Sequence, residues 1–426
     1  MQRFYFIILV FLSCQVSFSE TNEKFKITSK IINQKKAKEF NEKYTLILPC
    51  HDYKNALNLS FAGLLDTALI SKKNESYIIN NDIYGKIINS LTVKKTTSGK
   101  TVLSEIWMTP LNHDNNGYIY LDNNKIVLKK YNTNVSKELS IGKDVSSSFD
   151  RHCIASQGDS LFYFTTADYN RKKKLFGKDT SVVDFDFYQW NSNTDKTIFL
   201  FSASSLIPDS MLVPDLFDDP ERGIYEGLDV YHWNWLQKID NKLLINFAYT
   251  GFLQVDINTR KIDWFWGNNG HSFSKIKGIG KINNPYYTHD LNLISSGKYK
   301  GCYSYFENGQ NGDSINPIKP ARATIFRINE SENSVEILFE KEFDIPSVAL
   351  GSIDVSEDFI VVNLGMIIPI KGIMGTMTTS GKAATINFWK QYKHPQVYVY
   401  DLQGNEVSNY VYPFAFYSYS AWSKKK

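Results

Sequence analysis

The chain has 426 residues, 42% hydrophobic and 15% aromatic, enough to bury a sizeable core as one large domain or two ordinary ones. Its formal net charge of +4 is small, and its lysines are scattered rather than blocked or interleaved with aromatics, which argues against a nucleic-acid partner. The aromatic load favours strands, because Phe and Tyr fit a pleated surface.

Residues 1–19 read as a signal peptide. Arg3 supplies a short positive region, residues 4–12 form an apolar run too short to span a bilayer, and Ser17-Phe18-Ser19 offers small residues for cleavage before Glu20. Export to the periplasm or the extracellular space is the expectation. The alternatives are a retained anchor, or a lipoprotein site at Cys14, which Phe11 three positions upstream disfavours. No later stretch is long and apolar enough for a transmembrane helix, so no membrane span is expected.

Residues 20–43, rich in Lys and Asn, read as a linker containing a helical turn or two. Residues 44–426 read as one domain. Once Cys14 leaves with the signal, Cys50, Cys153 and Cys302 remain, an odd number without metal-ligand spacing. One bridge with a free thiol, or no bridge, both fit. Asn58, Asn74, Asn134 and Asn329 lie in glycosylation sequons.

From there a rough unit recurs: a short apolar strand, a variable link, then a hairpin with a polar turn. The strands fall at 117–121, 161–166, 243–249, 301–306 and 359–364. The hairpins follow at 126–141, 187–202, 252–266, 325–340 and 397–412, with turns of Asn, Thr, Asp, Ser and Gly. Residues 44–108 look like a poorer copy. Five good units and one poor one predict an all-β protein, a β-propeller of six blades. Two irregular stretches interrupt it, at 208–226 (rich in Pro and acidic residues) and at 365–388 (rich in Met, Thr and Gly).

Two of the seven histidines stand out. His232 lies in Asp229-Val230-Tyr231-His232-Trp233-Asn234, and His289 in Tyr287-Thr288-His289-Asp290-Leu291-Asn292, at the equivalent place one unit later. Innermost strands of a propeller line its channel, so both imidazoles are expected there, with Arg322 opening the hairpin of the second unit. Two imidazoles and a guanidinium suit an anionic oxyester. Asn234 or Asn292 could donate to an anion, and Asp229 or Asp290 could fix an imidazole tautomer. A strand histidine that is merely hydrogen-bonded is the competing reading. His51 and His152 adjoin Cys50 and Cys153 without metal-like spacing, and His113, His271 and His394 sit in turn-like or flanking contexts.

Residues 229–267, the His289-Asp290 strand with Glu307-Asn308-Gly309, Arg322, Gly351-Ser352, and Val397-Tyr398-Val399-Tyr400-Asp401 through Trp422 resemble the bacterial-type arylsulfotransferases. The resemblance covers roughly the last half of the chain. It implies an exported six-bladed propeller that moves a sulfuryl group from a phenolic sulfate ester to a phenolic acceptor, with no nucleotide donor, metal or other cofactor. It assigns His232 and His289 to binding sulfuryl oxygens and assisting proton transfer, and Arg322 to holding the sulfate. Tyr231, Asn234, Asp290 and Asn308 are the expected substrate contacts. Sulfuryl transfer passes through a loose state with charge on peripheral oxygens, which fixed cationic donors stabilise.

Two departures stand against it. The family's serine-x-arginine after the first histidine strand appears here as Asn246-Phe247-Ala248, and its transiently sulfated histidine has no match. A non-catalytic propeller that binds sulfated or phenolic ligands, or a protein partner, is therefore the alternative. A third reading, a quinone-dependent dehydrogenase or outer-membrane assembly propeller, rests on Asp256 and Trp264 at the spacing of an Asp-x-x-x-Gly-x-x-x-Trp docking repeat. The closing tryptophan occurs convincingly once, because Phe199, Leu338 and Asn409 take the matching places.

Overall fold

In the computed structural model the described residues are 27–52, 75–95, 108–110, 117–122, 125–130, 136–140, 150, 153–175, 177–209, 212, 228–248, 250–267, 277–278, 285, 287–308, 320–344, 347–349, 351–367, 396–412 and 421–426. The signal peptide, Cys14, most of the two irregular stretches, and His113, His152, His271 and His394 lie outside them.

The chain opens with β1 (Thr28–Ile31), α1 (Gln34–Lys43), β2 (Tyr44–Asp52), β3 (Glu75–Asn81) and β4 (Ile87–Lys95). A second group is β5 (Met108–Pro110), β6 (Gly117–Asp122), β7 (Lys125–Lys130) and β8 (Ser136–Ser140). A third is β9 (Ala155–Gln157), β10 (Leu161–Leu175), β11 (Lys178–Asn191) and β12 (Lys196–Ser202), followed by the short α2 (Ala203–Leu206). A fourth is β13 (Trp233–Ile239), β14 (Lys242–Phe247), β15 (Gly251–Asp256) and β16 (Lys261–Gly267).

Next come β17 (Lys277–Gly278), β18 (Thr288–Leu293), β19 (Tyr303–Glu307), β20 (Ala321–Asn329), β21 (Ser334–Phe343) and β22 (Ser347–Ala349). The last group is β23 (Ser352–Val355), β24 (Phe359–Leu364), β25 (Met366–Ile367), β26 (Gln396–Asp401), β27 (Glu406–Val411) and β28 (Trp422–Lys425).

Among the described residues these strands make six sheets of four or five strands and one two-stranded ribbon, β22 with β25. In five of the six, four antiparallel strands run in chain order outward from an inner strand (β5, β9, β13, β18, β23), and β17 adds parallel to β21 at the outer edge of the β18 sheet. In the sixth the order is β28-β2-β3-β4, so a strand from near the end of the sequence becomes the inner strand of the first sheet. The protein is a β-propeller. β1 adds to the outer edge of the last sheet by pairing with β27, and the Lys426 amide donates to the Lys43 carbonyl at 2.8 Å. Strands from early and late in the described residues are thereby built into each other's sheets, closing the ring.

Residues 28–43, expected as a linker, thus belong to the body. Asn33 caps α1 by accepting the Lys36 amide at 3.0 Å, and the helix buries Ala37 and Phe40. Phe40 meets Phe359 edge-on at 5.0 Å, filling the seam between the first and last sheets.

Elsewhere the aromatics bind sheet to sheet. Phe187 of β11 lies 5.7 Å from Trp233 of β13, and Trp266 of β16 lies 4.9 Å from Phe326 of β20. Trp264 meets Tyr303 of the next sheet at 5.4 Å, while Arg260 takes φ +56° where the docking repeat would carry glycine. Cys153 and Cys302 are buried free thiols. No described helix is long and apolar enough to cross a membrane.

Candidate functional site

The two histidine-bearing strands begin at the same edge of neighbouring sheets. The Ala248 amide donates to the His232 carbonyl at 3.0 Å, and the Thr288 amide donates to the Ala248 carbonyl at 3.2 Å. His232 has φ +37°, held by Asp229, whose carboxylate accepts the His232 amide at 3.0 Å and meets its Nδ1 at 2.5 Å. With its side chain about a quarter exposed, this is a histidine whose ring is oriented by a carboxylate at Nδ1.

The remaining expected residues are buried and committed. The Tyr231 hydroxyl accepts from Lys173 at 2.8 Å, and burial raises its pKa. The Asn234 amide donates to the Thr288 carbonyl at 2.7 Å and accepts from Asn246 at 2.5 Å, inside the seam between two sheets. Asn308 donates to the Ser347 carbonyl at 2.8 Å.

Arg322 lies on β20, two strands out from the inner β18. Its guanidinium donates to Glu307 at 2.5 Å and to Glu340 at 3.3 Å, and its side chain is only 6% exposed.

Strand register then decides whether Arg322 and His289 converge. Thr288 pairs with Glu307 and Glu307 with Arg322, so these three share one face; Thr288 donates to Asn246 at 2.7 Å, so that face looks toward the sheet of β13. His289 pairs with Phe306, and Phe306 with Ala323, on the opposite face toward the sheet of β23. Alternation along the strand separates the two groups. His232 and His289 share an edge; Arg322 faces another seam.

A cavity of about 1400 Å³ lies where the inner strands of the sheets meet. Inner strands of five sheets line it, and of the expected residues Asp290 and Asn292 do so. Five lysines (Lys238, Lys300, Lys424, Lys425, Lys426) face four carboxylates (Asp240, Asp290, Asp354, Glu357) across serines and amides.

Two of those carboxylates are embedded in the wall. Asp290 accepts from the Asn292 side chain at 2.9 Å and from the Ile353 amide at 2.7 Å. Burial, helped by the Asp354 charge, pushes its pKa up to about 7 even though these hydrogen bonds pull it down. Asp354 accepts from the Ser423 amide and hydroxyl, and burial raises its pKa as well.

Lys238 is 9% exposed, with its ammonium 5.4 Å from the centre of the Tyr163 ring, and burial lowers its pKa against the opposing pull of Asp240. Burial lowers that of Lys424 too. Burial thus moves both the carboxyls and the ammoniums of the wall toward their neutral forms. Sequence reasoning missed Lys238, Asp354 and Lys424, which lie on inner strands without a pattern that marks them. Among the described residues no group of three or more His, Cys, Asp or Glu is arranged to hold a metal ion.

No family model matches the chain, and no curated protein matches it. Among solved structures it is similar to U3-55K, with a TM-score of 0.36, 10% identity, and coverage of 80% of this chain and 92% of that one. It is also similar to BamB from Moraxella catarrhalis, with a TM-score of 0.29, 10% identity, and coverage of 68% and 66%. At these scores neither likeness bears on function. The order of strands within the sheets carries the description of the fold.

Proposed function

We propose that this protein is a non-catalytic propeller that binds a sulfated or phenolic anion in its axial cavity. The supporting observation is the wall itself, where lysines from several sheets border a cavity with room for an organic ligand. The occupied donors of Arg322 point the same way, because a guanidinium already shared by Glu307 and Glu340 has little left for a sulfate. The experiment is calorimetry with 4-methylumbelliferyl sulfate, paired with a fluorescence assay for released 4-methylumbelliferone in the presence of phenol. Saturable binding without release is expected. Absence of binding overturns the reading.

A second reading, transfer of a sulfuryl group between phenols, is favoured by the Asp229–His232 pair at 2.5 Å. In it, Nε2 of His232 attacks sulfur as the S–O bond breaks and the departing phenolate takes a proton from water; the acceptor phenol oxygen then attacks sulfur, the S–N bond breaks to restore the imidazole, and the acceptor's proton passes to water. Release of 4-methylumbelliferone that vanishes in His232→Ala would establish this reading over the first. Both readings take residues 1–19 as a signal peptide that exports the protein, which N-terminal sequencing of the secreted form would test.

A further inference from the structure

We propose that Asp290 is a proton switch on the cavity: an anionic ligand binds when the Asp290 carboxyl is neutral, so that binding takes up a proton. The proposal rests on the cavity-binding reading above and specifies how that site is regulated.

A belt of hydrogen bonds across four inner strands carries it. The Trp235 indole on β13 donates to the Asn292 side chain on β18 at 3.1 Å, and Asn292 in turn donates to Asp290 at 2.9 Å. The Ile353 amide on β23 donates to the other Asp290 oxygen at 2.7 Å. Next in line, Asp354 accepts the Ser423 amide of β28 at 2.8 Å. All six of these residues line the cavity. Asp290 takes φ +57° at a bulge that breaks the β18–β19 ladder between His289 and Asn292, a device that aims a side chain.

The two carboxyls are therefore pinned to the wall, each by a backbone N–H of the following inner strand, and neither can swing away from an incoming ligand. They are also close in the chain path of the belt, because Asp354 directly follows the residue whose amide Asp290 accepts. The groups acting on Asp290 are the Asn292 side chain, the Ile353 amide and the Asp354 charge, with no cation among them. Those acting on Asp354 are the Ser423 amide and hydroxyl.

The other titratable groups on the elements around β18 are engaged elsewhere. Lys242 of β14 pairs with Asp263 at 2.7 Å, Glu307 of β19 with Arg322 at 2.5 Å, and Lys425 of β28 with Glu357 at 3.1 Å. The Lys238 ammonium of β13, drawn by Asp240, lies 5.4 Å from the centre of the Tyr163 ring. Tyr303 and Tyr305 of β19 pack on Trp264 and Trp266 of the preceding sheet. The His289 ring lies 5.7 Å from that of Tyr287, and Lys424 has an interaction of its own. Lys300 stands in the turn beyond β18.

An anion entering the cavity thus meets a pair of buried carboxyls without a counter-ion. Like charges crowded in a buried site disfavour one another's ionisation, so the ligand's charge holds a proton on Asp290. Burial already raises this group to about 7, which puts the switch near neutrality. The proton also changes what the wall offers. An ionised carboxylate only accepts, whereas the neutral acid has an O–H that can donate to an anion's oxygen.

The test is calorimetric titration of the full chain with 4-methylumbelliferyl sulfate, whose sulfate stays ionised throughout, at pH 5.5 and at pH 8. Binding is expected to be about tenfold tighter at pH 5.5, the ratio of protonated fractions for a group titrating near 7. On the same unaltered protein, a pH-stat titration at pH 8 should record uptake of close to one proton per ligand bound. Asp290→Asn, which keeps an acceptor for the Ile353 amide and cannot ionise, should bind the sulfate equally at the two pH values. Equal affinities in the unaltered protein without proton uptake, or a preference for pH 5.5 that survives in Asp290→Asn, overturn the proposal while leaving cavity binding intact. If the sulfate binds at neither pH, the cavity-binding reading falls with it.

Discussion

Asp354 accepts the Ser423 amide at 2.8 Å and the Ser423 hydroxyl at 2.7 Å, tying β23 to β28. One sheet earlier, Asp290 takes the Ile353 amide in the same way at 2.7 Å. Buried carboxylates thus act as clasps between consecutive inner strands, and the Asp354 clasp holds the strand that completes the first sheet. Removing the carboxylate leaves a buried N–H without its acceptor, which costs more than the mean worth of a hydrogen bond.

Asp354→Ala is therefore expected to destabilise by about 2–3 kcal/mol, and Ser423→Ala, which keeps the amide contact, by about 1 kcal/mol. Urea unfolding followed by tryptophan fluorescence reads both. Equal losses in the two variants would mean that the backbone clasp contributes nothing beyond the hydroxyl.

Asp290 gives the stability a dependence on pH. Its pKa is raised from 3.8 to about 7 in the folded protein, so between those values the native state holds a proton that the unfolded chain has released. Stability from this group is full below pH 4 and is lost as pH rises through 7, by on the order of 4 kcal/mol at most. The facing groups are the Asn292 side chain, the Ile353 amide and the raised Asp354 carboxyl. Asp290→Asn cannot ionise, so the wild type should lose stability relative to this variant between pH 5 and pH 8. Parallel melting-temperature profiles for the two proteins across that range would contradict the assignment.

The outer strands of each sheet were legible in the sequence, and the inner ones largely were not. The expected strand at 161–166 and hairpin at 187–202 correspond to β10, β11 and β12, and those at 359–364 and 397–412 to β24, β26 and β27. Those segments are runs of β-branched and aromatic residues bounded by polar turns, which is the signal a buried strand leaves. β5 and β9 have three residues each, and β23 has four, too few to show a period. The β28-to-β2 pairing joins residues nearly 400 positions apart, and nothing local marks it.

The same reason explains the candidate site. His232 and His289 were found because each has a distinctive neighbourhood, one just before the inner strand β13 and one on the inner strand β18. Their shared edge follows from repeat position, which a sequence can show. Arg322 was read from position alone, whereas Glu307 and Glu340, which claim it, come from two different strands whose register sequence does not reveal.

Arg322 supplies a prediction that separates structure from chemistry. Breaking a buried pair by removing one partner strands the other charge, so Arg322→Met should cost about 3–5 kcal/mol through the uncompensated Glu307. Combining it with Glu307→Gln should recover much of that loss, because the double variant buries no net charge. Thermal unfolding of the three variants tests this. A single Arg322→Met variant as stable as wild type would show that the ion pair is dispensable and reopen a ligand-holding role.

The seam between the sheets of β13 and β18 depends on one amide in one orientation. Asn246 Nδ2 donates to Asn234 Oδ1 at 2.5 Å and to the Thr288 carbonyl at 2.7 Å, while its Oδ1 accepts the Thr288 hydroxyl at 2.7 Å. Asn246 and Thr288 are fully buried, so no water can substitute for a lost partner without opening the seam. Asn246→Asp preserves shape but replaces the donor with an acceptor that faces two acceptors. Ionised, it adds buried negative charge; protonated, it donates to only one of them. The loss should be about 3 kcal/mol or more at pH 8 and smaller at pH 5, where the new carboxyl holds its proton more readily. Asn246→Ala, which removes donor and acceptor together, should cost less than Asn246→Asp at pH 8. Urea titrations at the two pH values decide it, and an Asn246→Asp variant with wild-type stability at pH 8 would require the amide to point the other way.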